Sequence, residues 1–155
     1  MTDMLLVLID EAYDHRSWHG ANLRGAIRGV TLREAAWRPG ADRHNVWELV
    51  VHAAYWKYVV RRRLTGEQRG SFPLPGSNFW RRPTAGTTAE WRADVRLLAE
   101  QHHALRDAVA ACPPARLSRR VPHSPFTCAA LIRGAAAHDL YHAGQIQLLK
   151  RLARS

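Results

Sequence analysis

The chain has 155 residues, 46% of them apolar and 23% charged, enough for one hydrophobic core and too few for two ordinary domains; no apolar run approaches the roughly 18 to 20 residues of a membrane span. Basic residues outnumber acidic ones 23 to 13, a net charge of +10, yet the cations are spread from Arg16 to Arg154, which reads as solvated helix faces before it reads as a nucleic-acid surface. Cys112 and Cys128 lack C-x-x-C partners, which argues against a disulfide framework or a cysteine zinc site.

The start, Met1-Thr2-Asp3-Met4, carries acid rather than the basic residues that precede a secretory apolar run. The expectation is a single domain over 1–155 in the reducing cytosol, with no membrane association.

All eight prolines fall between four proline-free tracts, residues 1–38, 41–72, 84–112 and 126–155, and a helix tolerates proline poorly in its interior. In the first tract Leu5, Leu8, Ile9, Ala12, Leu23, Ile27 and Val30 follow one helical stripe, with His15 or Arg16 and then His19 on its middle turns. That spacing predicts a helix over 3–29. The second stripe runs Val46, Leu49, His52, Ala53, Trp56, Val59, Val60 and Leu64, preceded by Asn45 as N-cap with Glu48 three residues on, and predicts a helix over 45–65.

Residues between the second and third helices are rich in glycine and proline, yet include Phe72, Phe79 and Trp80. At about 3.3 Å per extended residue such a segment spans a whole bundle, and its aromatics predict that it covers the core. Trp91, Val95, Leu98, His102, Leu105 and Val109 predict the third helix, over 88–111, capped by Thr87 or Thr88. The fourth, over 127–153, carries Leu131, His138, Tyr141, His142, Gln145, Leu148, Leu149 and Leu152 on its expected inward side. Period-two alternation is scarce, so the fold class is all-α.

The sharpest chemical feature is His138-Asp139-Leu140-Tyr141-His142. Residues four apart on a helix stack on one face about 6 Å apart along the axis, so two imidazoles can meet one ion. His52 is the candidate third ligand, because an unpaired ring on an apolar helix face is costly. Three histidines plus water make an open divalent site of the kind that activates a bound water or thiol. Asp139 is read either as orienting a ligand or as a surface charge. Gln145 is read either as facing a bound water or as part of an interhelical network, and His19 and His102 as further lining of the same cavity. Cys128 is read as a small packing residue.

At these residues the sequence resembles the DinB/YfiT-like superfamily of metal-binding four-helix bundles, over nearly the whole chain. The last-helix pattern H-x-x-x-H-x-x-Q falls on His138, His142 and Gln145, and Trp47-Glu48-Leu49-Val50-Val51-His52 is similar to the helix-two motif. The resemblance implies a four-helix bundle with a long crossover between helices 2 and 3, and a divalent metal, zinc or nickel, held by His52, His138 and His142. It also implies a homodimer, and an enzyme acting on a small-molecule thiol and an electrophile, a transferase using a bacterial low-molecular-weight thiol. The other reading is a non-enzymatic, stress-related module that binds metal or contacts nucleic acid.

Overall fold

Local sequence signals set the helix ends. The computed structural model describes residues 1–155 and is all-helical: α1 Thr2–Tyr13, α2 Leu23–Ile27, α3 Leu32–Ala36, α4 Val46–Thr65, α5 Thr88–Ala110, α6 Pro114–Leu117 and α7 Cys128–Leu152. Asn45 caps α4 by accepting from the Glu48 N–H, and Gly66, at φ 81°, ends it in the left-handed conformation that an L side chain resists. Thr87 and Glu90 form a reciprocal capping box on α5, and Thr127 accepts from the Ala130 N–H at the head of α7. The predicted second, third and fourth helices therefore hold to within a residue or two.

The predicted helix over 3–29 does not. The chain leaves α1 at Asp14 and restarts at α2, whose N-cap Asn22 accepts from the Gly25 N–H. Gly20 between them sits at φ 98°, outside any right-handed helix. The apolar stripe read as one helix belongs to two elements that pack side by side. His19, exposed in the intervening loop, does not join the other histidines' cavity. The short α3 and α6 were not expected.

Pairwise contacts fix the helix directions. Trp47, in the first turn of α4, donates from Nε1 to Asp94 Oδ2 at 2.6 Å in the second turn of α5, while Lys57 Nζ lies 3.4 Å from His102 Nδ1 further along both. Helices α4 and α5 thus run the same way. Helix α7 runs against α4, with the His52 ring 4.8 Å from His142 and Trp56 6.2 Å from His138. Helix α1 runs against α5, with Arg106 Nε 2.9 Å from Asp10 and the Tyr13 ring stacked 3.8 Å from His102. Because α4 and α5 are parallel, residues 66–87 must return along the length of α4, about 30 Å for its 20 residues. They cover the core as they do so: Phe72 is buried against Tyr55 and Tyr58.

Apolar side chains form two clusters. One centres on Trp47, Val50, Leu98 and Ile146, the other on Ile9, Leu105, Leu117 and Ile132. A buried polar layer of Asp10, Lys57, His102 and Asp139 lies between them. Both lysines are buried: Lys57 pairs with Asp139, and Lys150 Nζ donates to the Ala26 and Arg28 carbonyls at 2.8 and 3.0 Å, tying α2 to α7. On α7 the core-facing residues are Ile132, Ala136, Asp139, Ala143 and Ile146. The stripe expected to face inward is the flank beside them, with Tyr141, Leu148 and Leu152 exposed. Cys128 is buried in the second cluster and unbridged.

The crossover closes against the core at Gly86, where an added Cβ would lie 2.6 Å from Cη2 of the fully buried Trp47 ring. That ring is held by Asp94 and by Arg82 above its face, so it has no room to yield. Gly86→Ala is expected to lower stability by about 1–3 kcal/mol, the usual cost of overpacking, with an unchanged helical spectrum; an unaltered urea midpoint would contradict this packing.

Candidate metal centre

Three imidazoles converge where α4 and α7 face one another. His52 is presented by the second turn of α4, and His138 and His142 by successive turns of α7. Their ligand atoms all lie within 4.8 Å of one another. His138 Nε2 is 3.0 Å from His52 Nε2 and 3.0 Å from His142 Nε2.

The other ring nitrogens explain why these atoms point inward. His52 Nδ1 donates to the Asn78 carbonyl at 2.7 Å, and His142 Nδ1 donates to Gln145 Oε1 at 2.6 Å. A neutral imidazole with its proton on Nδ1 presents a bare lone pair at Nε2. Two such lone pairs therefore flank His138 Nε2, which can donate one proton at most. The donor set is one acceptor too rich to satisfy itself, and a cation at the common point resolves it. Tetrahedral zinc with bonds near 2.0–2.1 Å sets its nitrogens about 3.3 Å apart, close to the 3.0 Å of the two pairs that include His138, with all three atoms inside 4.8 Å. The residues fit a divalent ion.

Burial keeps the rings neutral and ready to ligate. Desolvation pulls His52 down to about 4 against the help of the Asn78 carbonyl, and pulls His138 down to about 3. His142 is lowered for the same reason, partly offset by Gln145.

Asn78 reaches His52 because the crossover passes directly over the site. It adopts φ 70°, a left-handed conformation that asparagine tolerates better than most residues, and its side-chain Oδ1 accepts from Trp56 Nε1 at 3.1 Å. One residue thus fixes both a candidate ligand and the adjacent indole. The next residue, Phe79, stacks 3.9 Å from the His52 ring and 3.8 Å from His44. Glu48 anchors that arrangement by accepting from Arg38, from the Arg82 N–H and from His44. Burial alone would raise the Glu48 carboxyl, but these donors bring it down to about 2.

A cavity of about 530 Å³ opens above the three rings, with Leu49, Phe79, Tyr141, Leu148 and Leu149 as apolar walls and Arg43 on its rim. Gln145 lines it while holding His142, so it orients a ligand ring. His102 does not line it: buried against Tyr13 and Lys57, it is pushed to about 2 by desolvation and then by the Lys57 charge. Asp139 turns away from the histidines to Lys57, its Oδ1 without a partner, so neither role foreseen for it holds. Sequence reasoning missed Asn78, whose contribution is a backbone carbonyl and leaves no signature. It also missed Phe79 as a ring clamp, and Lys57, whose rarity as one of two lysines was the available signal.

The fold and this histidine cluster define an all-helical protein with three clustered histidines that could hold a metal ion. A family model for the DinB superfamily matches residues 3–146, and the chain belongs to that superfamily. No curated protein and no solved structure matches it. No helix is long and apolar enough to cross a membrane.

The depressed imidazoles carry a stability prediction. In the unfolded chain they take up protons near 6.5, but in the folded chain only near 4 for His52 and near 3 for His138. Between these values the unfolded state binds more protons, so stability falls as pH falls. Chelated protein is expected to hold the stability these rings contribute above pH 6.5 and to lose it progressively as pH falls to about 3, with a shallower loss in His138→Ala. A urea midpoint equally pH-dependent in both proteins would refute the assignment to these rings.

Proposed function

We propose that the chain is a four-helix bundle of the DinB type, crossing over between α4 and α5, and a metal-dependent enzyme in which His52, His138 and His142 hold one zinc or nickel ion. The observation that carries the reading is the excess of lone pairs: three Nε2 atoms aimed at one point, with two of the three Nδ1 protons already committed. The parallel run of α4 and α5 supports the crossover.

An ion held by three histidines keeps an open position, where it lowers the pKa of a coordinated thiol or water. Substrate chemistry follows from the cavity. Its walls are largely apolar and no acidic residue lines it, so a thiolate entering beside Arg43 meets no opposing charge. Asn78 and Gln145 hold the His52 and His142 rings while Phe79 excludes water from one side. We therefore assign the reaction as transfer of a small-molecule thiol to an electrophile: the sulfur forms the new bond to the electrophilic carbon as that carbon's bond to its leaving group breaks, the leaving group departs with the electron pair, and the thiol proton leaves to solvent. The exposed Tyr141, Leu148 and Leu152 on one flank of α7 support pairing of two copies. Two buried, unbridged cysteines fit a reducing cytosol.

Protein purified without an affinity tag and dialysed against zinc or nickel is expected to retain about one ion per chain, the count a three-histidine site holds. His138→Ala should lose it; equal retention would reject the ligand assignment. Bacterial thiols incubated with a model electrophile should give conjugate with metal-loaded enzyme and none above background with chelated enzyme. Metal retention without turnover, together with unfolding on chelation, would instead identify a structural ion in a non-enzymatic module.

A further inference from the structure

A second cavity, of about 210 Å³, lies on the far side of His138, between the later turns of α4 and the first half of α7. Its walls are Trp56, Val59, Leu131 and Phe126, and His138 is the only residue that also lines the cavity over the three imidazoles. The small Ala130 and Gly134, one turn apart on α7, leave the space between the helices open; a Cβ on Gly134 would meet nothing within 4 Å. Trp56 is fixed in place by Asn78 Oδ1.

One charged side chain lines this cavity, Arg63. Unlike Arg61, which pairs with Glu67, Arg63 makes no ion pair and no side-chain hydrogen bond, and no acidic residue shares the cavity with it. A half-buried guanidinium beside apolar walls leaves its charge-assisted hydrogen bonds to a ligand, and a carboxylate matches its fork. An apolar cavity of about 150 Å³ already admits benzene, so the space here suits one ring with a small substituent.

We propose that this second cavity binds an aromatic carboxylate, the ring between Trp56 and Leu131 and the carboxylate on Arg63. The binding stands on the cavity alone. Its catalytic meaning rests on the function proposed above: a group held here touches the His138 ring from the side opposite the thiol, which makes the cavity the electrophile's subsite.

The test is calorimetric titration of 4-methylbenzoate, and of 4-methylbenzyl alcohol as its uncharged counterpart, into the full chain before and after chelation. Arg63→Met is expected to weaken the benzoate about tenfold or more, the loss of a charge-assisted pair, while leaving the alcohol within about twofold. Gly134→Leu fills the cavity with a better helix former and should weaken both ligands about tenfold; Ala130→Leu serves the same end should the first variant lose its helical spectrum. Arg43→Met, on the rim of the other cavity, should change neither. Chelation should leave the benzoate affinity unchanged, so the result is independent of whether the chain retains metal. Absence of saturable binding, indifference to both cavity-filling variants, loss through Arg43 in place of Arg63, or loss on chelation would each overturn the proposal.

Discussion

Three imidazole Nε2 atoms brought together with one proton at most among them are the constraint on which the site depends. Without a cation between them, His52 and His142 oppose His138 across 3.0 Å with too few protons to go round, and burial disfavours supplying the missing proton. The helices that carry them are nonetheless held together by contacts elsewhere. Trp47 with Asp94, Lys57 with Asp139, and Lys150 with the Ala26 and Arg28 carbonyls each join two elements across the core. Packing of the apolar clusters thus holds in place an arrangement of like dipoles that would separate if α4 and α7 were free. That is the preorganisation a metal site requires, since a donor set assembled in advance costs the ion little to engage.

The parallel pairing of α4 with α5 is what makes the site more than two helices and three rings. Parallel neighbours cannot be joined by a short turn, so residues 66–87 travel back over the face where His52 emerges. The segment delivers the Asn78 carbonyl to His52 Nδ1, the Asn78 side chain to Trp56, and Phe79 to the face of the His52 ring. Topology, not local preference, sets the tautomer of a candidate ligand. The connection also separates the cavity over the imidazoles from solvent on one side, while Glu48 ties both its far end, through Arg82, and the loop before α4, through Arg38.

What could be read from the sequence follows from the range of the interaction that leaves the signal. The starts of α4, α5 and α7 were legible because Asn45, Thr87 and Thr127 satisfy backbone donors three residues on, and the pair His138 and His142 because helical spacing is local. His52 was legible as a polar ring on an apolar stripe. The break after α1 was not, since Leu5, Ile9, Leu23 and Ile27 keep a plausible phase across a loop whose stop signal is a single glycine at positive φ. The rotation of α7 was misjudged because its core face is built from small residues, Ala136 and Ala143, around a charged Asp139, whereas the larger Tyr141 and Leu148 lie outside. Lys57 meeting Asp139 across 82 positions of chain is a long-range pairing that no periodicity encodes.

The buried Lys57 and Asp139 pair clarifies why Asp139 does not serve its neighbour His138. On a helix, adjacent residues point about 100° apart, so with His138 turned toward the cavity Asp139 faces the bundle interior, where it meets Lys57 of α4, itself beside His102 of α5. Burial raises the Asp139 carboxyl and the Lys57 ammonium works against that. A buried pair of this kind adds little net stability compared with apolar packing of the same volume, but removing one partner leaves a charge stranded. Its geometric effect is plainer. It fixes the rotation of α7 about its axis relative to α4, and that rotation is what aims His138 and His142, one and three positions away in sequence terms, toward His52 on one side and leaves the Ala130–Gly134 flank open to the second cavity on the other.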